Sequence, residues 1–70
     1  MLNFEYAVIK ATLFSGWEVE YTDRKETFKE DIEAVLNRLG PEGWELTAVT
    51  GDPSGTPQRL FLKRTRGGQI

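Results

Sequence analysis

Thr27-Phe28-Lys29-Glu30-Asp31-Ile32-Glu33-Ala34-Val35-Leu36-Asn37-Arg38-Leu39-Gly40-Pro41 is the stretch on which the fold turns. Phe28, Ile32, Val35, Leu36 and Leu39 recur at i, i+4, i+7, i+8 and i+11, one apolar stripe of an α-helix. Thr27 followed three residues later by Glu30 has the form of a capping box. Asp31 and Glu33 in the N-terminal half and Arg38 in the last turn complement the helix dipole. Gly40 offers a left-handed cap and Pro41 halts continuation. The pattern predicts a helix over 27–39 whose stripe needs a sheet to cover it.

On the N-terminal side, residues 3–14 are rich in aromatic and β-branched side chains and read as a strand. Phe4, Tyr6, Val8, Lys10 and Thr12 share one face; Ala7, Ile9, Ala11 and Leu13 share the other. Both faces are largely apolar, so a second subunit or more of the chain must cover the second one. Ser15-Gly16 is a turn, and Trp17-Glu18-Val19-Glu20-Tyr21 alternates as a half-buried strand able to pair back as a hairpin. On the C-terminal side, Trp44 to Thr50 reads as a strand with Trp44, Leu46 and Ala48 on one face. A breaker-rich loop, Gly51 to Pro57, leads into a last strand, Gln58 to Thr65, with Leu60 and Leu62 opposite Phe61 and Lys63. The expected architecture is one two-layer α+β domain over residues 1–66. Its antiparallel sheet has three to four strands in the order β-(β)-α-β-β, with a frayed tail at 67–70. Whether the first strand pairs with the last or with the one before it stays open.

The segment Leu36-Asn37-Arg38-Leu39-Gly40-Pro41-Glu42-Gly43-Trp44-Glu45-Leu46 resembles the hallmark of a small family, domain of unknown function 4177. The hallmark is a Leu-Asn-x-Leu-Gly-x-Glu-Gly-Trp-Glu-Leu stretch joining helix to strand, and every fixed position is matched. Phe4 to Val8 is similar to the family's opening strand, and Leu60 to Arg64 to its closing one. The resemblance implies a fold and a distribution in bacteria and their phages; it implies no activity. The chain departs from the family at Leu13 to Glu26, where Trp17 to Tyr21 adds a strand.

Composition removes most chemistry. The 70 residues contain no Cys and no His. Disulfides, thiol nucleophiles, zinc–thiolate sites, imidazole bases and Ser-His triads are all excluded. No catalytic residue, cofactor or metal is expected, and the protein reads as non-enzymatic. A core this small is often supplemented; without disulfides or Cys and His metal ligands the favoured supplement is a homo-oligomer, although many domains of about 55–65 residues fold alone. No targeting signal or membrane-length apolar run is visible, so a cytoplasmic setting without membrane contact is expected.

The candidate sites follow from charge and aromatics. Gly40, Glu42, Gly43 and Trp44 read as architecture: Gly40 ends the helix, Gly43 permits the turn, Glu42 accepts turn N–H groups, and Trp44 anchors helix to sheet. The competing reading has Trp44 stacking on a ligand. Gly51 to Pro57 lacks phosphate-loop spacing and any Lys, and reads as a hairpin loop. Glu18, Glu20, Asp23, Glu26, Glu30, Asp31 and Glu33 are interleaved with Arg24, Lys25 and Lys29 and read as solvated surface. Residues 57–70 carry Arg59, Lys63, Arg64 and Arg66 and no acid, a local +4, against −6 for the rest. Arg59 and Lys63 flank Phe61 on one strand face, an arrangement that can stack a base and meet a phosphate. A net charge of −2 argues against bulk nucleic acid. Phe4, Tyr6, Phe14, Trp17, Tyr21, Phe28, Trp44 and Phe61 exceed what so small a core can take, so some belong at an interface.

The first expectation is a homo-oligomer that sequesters a small anionic ligand such as a nucleotide between subunits. Arg59, Lys63 and Arg64 supply charge, and Trp17 or Phe61 supplies stacking. The alternative is a protein–protein adaptor or inhibitor acting through the apolar sheet face.

Overall fold

The structure, a computed structural model, describes residues 3–12, 16–51 and 57–66. The chain runs β1 (Asn3–Ala11), β2 (Trp17–Glu20), β3 (Lys25–Phe28), α1 (Ile32–Leu39), a 3-10 turn (Gly40–Glu42), β4 (Glu45–Gly51) and β5 (Pro57–Arg66). The strands form one five-stranded sheet in the order β3-β2-β1-β5-β4. Every neighbour is antiparallel. The longest strands, β1 and β5, lie side by side near the middle, which settles the partner of the first strand.

This corrects the expectation of a three-to-four-stranded α+β sheet. The described residues are mostly a five-stranded antiparallel sheet with one short helix, and the extra strand is β3. Its residues took the place of the helix's first turn in the sequence reading. Phe28 fits the helical stripe, yet it stands opposite Trp17, and Thr27 opposite Glu18, in the β2–β3 ladder. An edge strand of Lys, Glu and Thr carries weak apolar periodicity because one side of it faces water.

The helix therefore begins later. Asp31 is its N-cap, and its Oδ1 accepts the Ala34 N–H at 2.9 Å. The Thr27–Glu30 capping box does not form; Glu30 instead takes two guanidinium bonds from Arg38, at 3.0 and 2.7 Å. The helix end differs as well. Gly40 is right-handed and continues into the 3-10 turn, while Gly43 is the left-handed residue, φ 95°. The Gly43 N–H donates to the Gly40 carbonyl at 2.8 Å and the Trp44 N–H to the Leu39 carbonyl at 3.3 Å, so these two end carbonyls are satisfied.

One sheet face carries the core. Ile9 stands between Val19 on β2 and Leu60 on β5, and Ala7 beside Leu62. Val35 and Leu39 of α1 close over them, with Tyr21 and Trp44 at the side and Trp17, Phe28, Ile32 and Leu36 partly buried around the edge. The helix is only 8 residues long and leaves β4 uncovered, where Leu46 and Val49 are 43% and 49% exposed.

β4 does not alternate as the sequence implies. Leu46 pairs with Leu62 but Ala48 with Phe61, so Thr47 is an extra residue in a bulge, its hydroxyl donating to the Phe61 carbonyl at 3.0 Å. The bulge moves Ala48 to the face opposite Leu46. Phe14, the loop interior 52–56 and the tail 67–70 lie outside the described residues.

Candidate functional site

Among the described residues nothing covers the second face of the sheet, the bare face. Strand alternation places Phe4, Tyr6, Val8 and Lys10 of β1 on it, since Ala7 and Ile9 point into the core. Cross-strand pairing adds Lys63 beside Tyr6, Phe61 beside Val8 and Arg59 beside Lys10. β4 contributes Glu45, Ala48 and Thr50, opposite Lys63, Phe61 and Arg59 respectively. β2 adds Glu20 and Glu18, opposite Val8 and Lys10.

The face has three zones. At one end Phe4 and Tyr6 are 43% and 60% exposed, and the Lys63 ammonium sits 4.7 Å from the Phe4 ring centroid, a cation–π contact. The middle is Val8, Phe61 and Ala48. At the other end Lys10 and Arg59 stand directly opposite each other beside Thr50. Lys10 Nζ is 3.5 Å from a Glu20 carboxylate oxygen. Arg59 is exposed and makes no ion pair among the described residues. A cleft of about 400 Å³ lies at this corner, lined by Lys10, Ala11, Thr50 and Arg59.

The expected ligand residues divide between the faces. Arg59, Phe61 and Lys63 share the bare face, as their i, i+2 spacing implies. Arg64 lies on the core side: its Nε donates to Glu5 at 2.9 Å and its Nη1 to the Glu42 carbonyl at 3.1 Å, with the guanidinium 4.5 Å above the Trp44 ring. It ties the turn after α1 to the sheet. Trp17, opposite Ala11 and Phe28, packs against the core. Within one chain neither residue joins the other three.

The hallmark residues are architectural in their contacts. Trp44 is 6% exposed and its ring is 5.8 Å from that of Tyr21, so no ring face is open for stacking. Its indole N–H is buried without an acceptor. Glu42 contributes its backbone carbonyl, with no turn N–H bond from its side chain among the described residues.

A second depression, about 200 Å³, is lined by Tyr21, Arg24, Glu26, Phe28, Arg38, Leu39 and Glu42. Its cations are engaged: the Arg24 guanidinium lies 4.0 Å over the Tyr21 ring, and Arg38 lies 5.6 Å over Phe28 while holding Glu30. The Tyr21 hydroxyl donates to Glu26 at 2.7 Å. Burial and then the Glu26 contact push the phenol up to about 12. Arg38 holds the Glu30 carboxyl below its usual range.

Lys10, Thr50, Phe4 and Tyr6 are the residues that sequence reasoning left out of the site. β1 alternation already placed Lys10, Tyr6 and Phe4 together. Thr50 was hidden, because the β4 bulge shifts its phase. The acidic residues of the region do not gather; no group of three or more potential metal ligands exists among the described residues. No helix among them is long and apolar enough to cross a membrane.

The profile of the family Domain of unknown function (DUF4177) matches residues 4–65. No curated protein matches the chain. No solved structure matches it either. The match spans nearly the whole chain, and the chain belongs to this family.

Proposed function

We propose that this member of the domain of unknown function 4177 family is a non-enzymatic cytoplasmic binding protein. It self-associates through its bare sheet face and takes up a small anionic ligand of the nucleotide class. The observation that carries the reading is the grouping of Arg59, Phe61 and Lys63 on a face that no described element covers. A ring between two cations is suited to a flat group bearing negative charge. The exposed Phe4 and Tyr6 on the same face supply the apolar area that self-association buries. Sequestration of a phage or bacterial signalling nucleotide is the role such a protein fills.

The test is equilibrium dialysis against a nucleotide panel, with native mass spectrometry on the same samples. Uptake is expected to stop at a fixed stoichiometry, without product, and to disappear in Arg59→Glu while the oligomer persists. Product formation beyond stoichiometric amounts, or no uptake by an intact oligomer, overturns the reading. A second reading has its own support. Lys63 already rests on Phe4 and stands opposite Glu45, which leaves that end of the face apolar and suited to a protein partner. An adaptor loses its partner in Tyr6→Ser and is indifferent to Arg59→Glu.

A further inference from the structure

We propose that Lys10, Thr50 and Arg59 form a phosphate subsite, the anchor for a phosphate monoester that also carries a flat ring. The inference rests on the binding-protein reading and names its ligand chemistry. Like charges directly opposite each other on neighbouring strands repel. Lys10 and Arg59 occupy such a pair; Lys10 has Glu20 at 3.5 Å and Glu18 opposite it on β2, whereas Arg59 makes no ion pair among the described residues. A tetrahedral oxyanion between them turns one repulsion into two attractions.

The donors suit that anion. A guanidinium fork meets two oxygens at once, an ammonium supplies a compact charge, and a hydroxyl donates a third bond. They come from three adjacent strands, β1, β5 and β4, with Arg59 in the middle. The cleft between them, about 400 Å³, has no acid among its described lining residues. The ring partner is Phe61, two residues along β5 on the same face, about 7 Å from Arg59 at strand spacing. The aromatic end of the face is remote: Phe4 and Lys10 are six residues apart on one strand, about 20 Å. Self-association at Phe4 and Tyr6 therefore leaves the cationic corner open.

The experiment is an NMR titration of the full chain with inorganic phosphate, adenosine and adenosine monophosphate as separate probes at constant ionic strength. The backbone amides of Lys10, Thr50 and Arg59 are expected to move with phosphate and with the monophosphate. The monophosphate should also move Phe61 and bind at least tenfold tighter than either part alone. Arg59→Gln should weaken phosphate and monophosphate at least tenfold, and Lys10→Gln should weaken both, with the remaining spectrum unchanged. Shifts confined to residues away from this corner, or equal affinity in Arg59→Gln, overturn the subsite. If the monophosphate then binds elsewhere on the face, the subsite falls and the binding-protein reading stands. If no anion binds and the chain is monomeric, both fall.

Discussion

Among the described residues two glycines hold left-handed backbone, Gly16 at φ 94° and Gly43 at φ 95°, and they differ in what surrounds them. A Cβ on Gly43 has room, with the Arg64 Cβ 4.0 Å away. A Cβ on Gly16 would overlap the Phe28 carbonyl oxygen and come within 2.9 Å of the Lys29 Cα. Gly43→Ala is therefore expected to cost only the backbone strain, about 1–2 kcal/mol. Gly16→Ala must also push β3 and its exit away from the β1–β2 hairpin, so its cost in urea unfolding should exceed that of Gly43→Ala. Equal costs would show that residues 28–29 do not sit against Gly16. At this scale the sequence was legible in part. It marked Gly43 as a turn residue and Trp44 as an anchor. It assigned the left-handed cap to Gly40, because an apolar stripe followed by Gly-Pro looks the same whether the chain stops or tightens into a 3-10 turn. Arg64 shows a different limit. Counting charge groups it with Arg59 and Lys63, while strand alternation sends it to the core side to meet Glu5 and Trp44.

At the scale of elements, the informative boundary is between β3 and α1. The stripe from Phe28 to Leu39 was real, but its first member serves a strand and the rest a helix. Period alone cannot separate the two where one residue satisfies both. The structure makes a distinct claim about which side chain starts the helix. Asp31 bonds the Ala34 N–H, whereas Thr27 is an exposed residue of an edge strand. Asp31→Ala is expected to destabilise by about 1 kcal/mol in urea unfolding, the usual cost of a lost N-cap. Thr27→Ala should stay within about 0.5 kcal/mol, as surface changes do. The reverse order would restore the longer helix and remove β3. The β4 bulge is the other boundary the sequence concealed. An inserted residue changes no residue type, only the phase of those after it, so Ala48 and Thr50 reach the bare face unannounced, while β5 and β1 alternate as the sequence implies, although β1 ends at Ala11 and not at residue 14.

At the scale of the molecule, α1 closes one sheet face and no described element closes the other; the helix is too short to do more. Phe4 and Tyr6 are left 43% and 60% exposed at one end of the bare face, an apolar strip in a chain of 70 residues. Coverage by a second copy has a thermodynamic signature that does not depend on identifying any ligand. Association removes native chains from the folding equilibrium, so the melting temperature must rise with total concentration. For a dimer each tenfold increase adds about 1.4 kcal/mol. With about 2–4 °C per kcal/mol for an assembly of this total length, a hundredfold range should move the transition by several degrees. Tyr6→Glu places a charge in the strip without touching the core face. It should abolish the concentration dependence and leave a melting temperature near that of the most dilute native protein. Calorimetry or circular dichroism across that range decides the matter. A transition that stays fixed in the native protein means that the strip is not buried against a copy of itself.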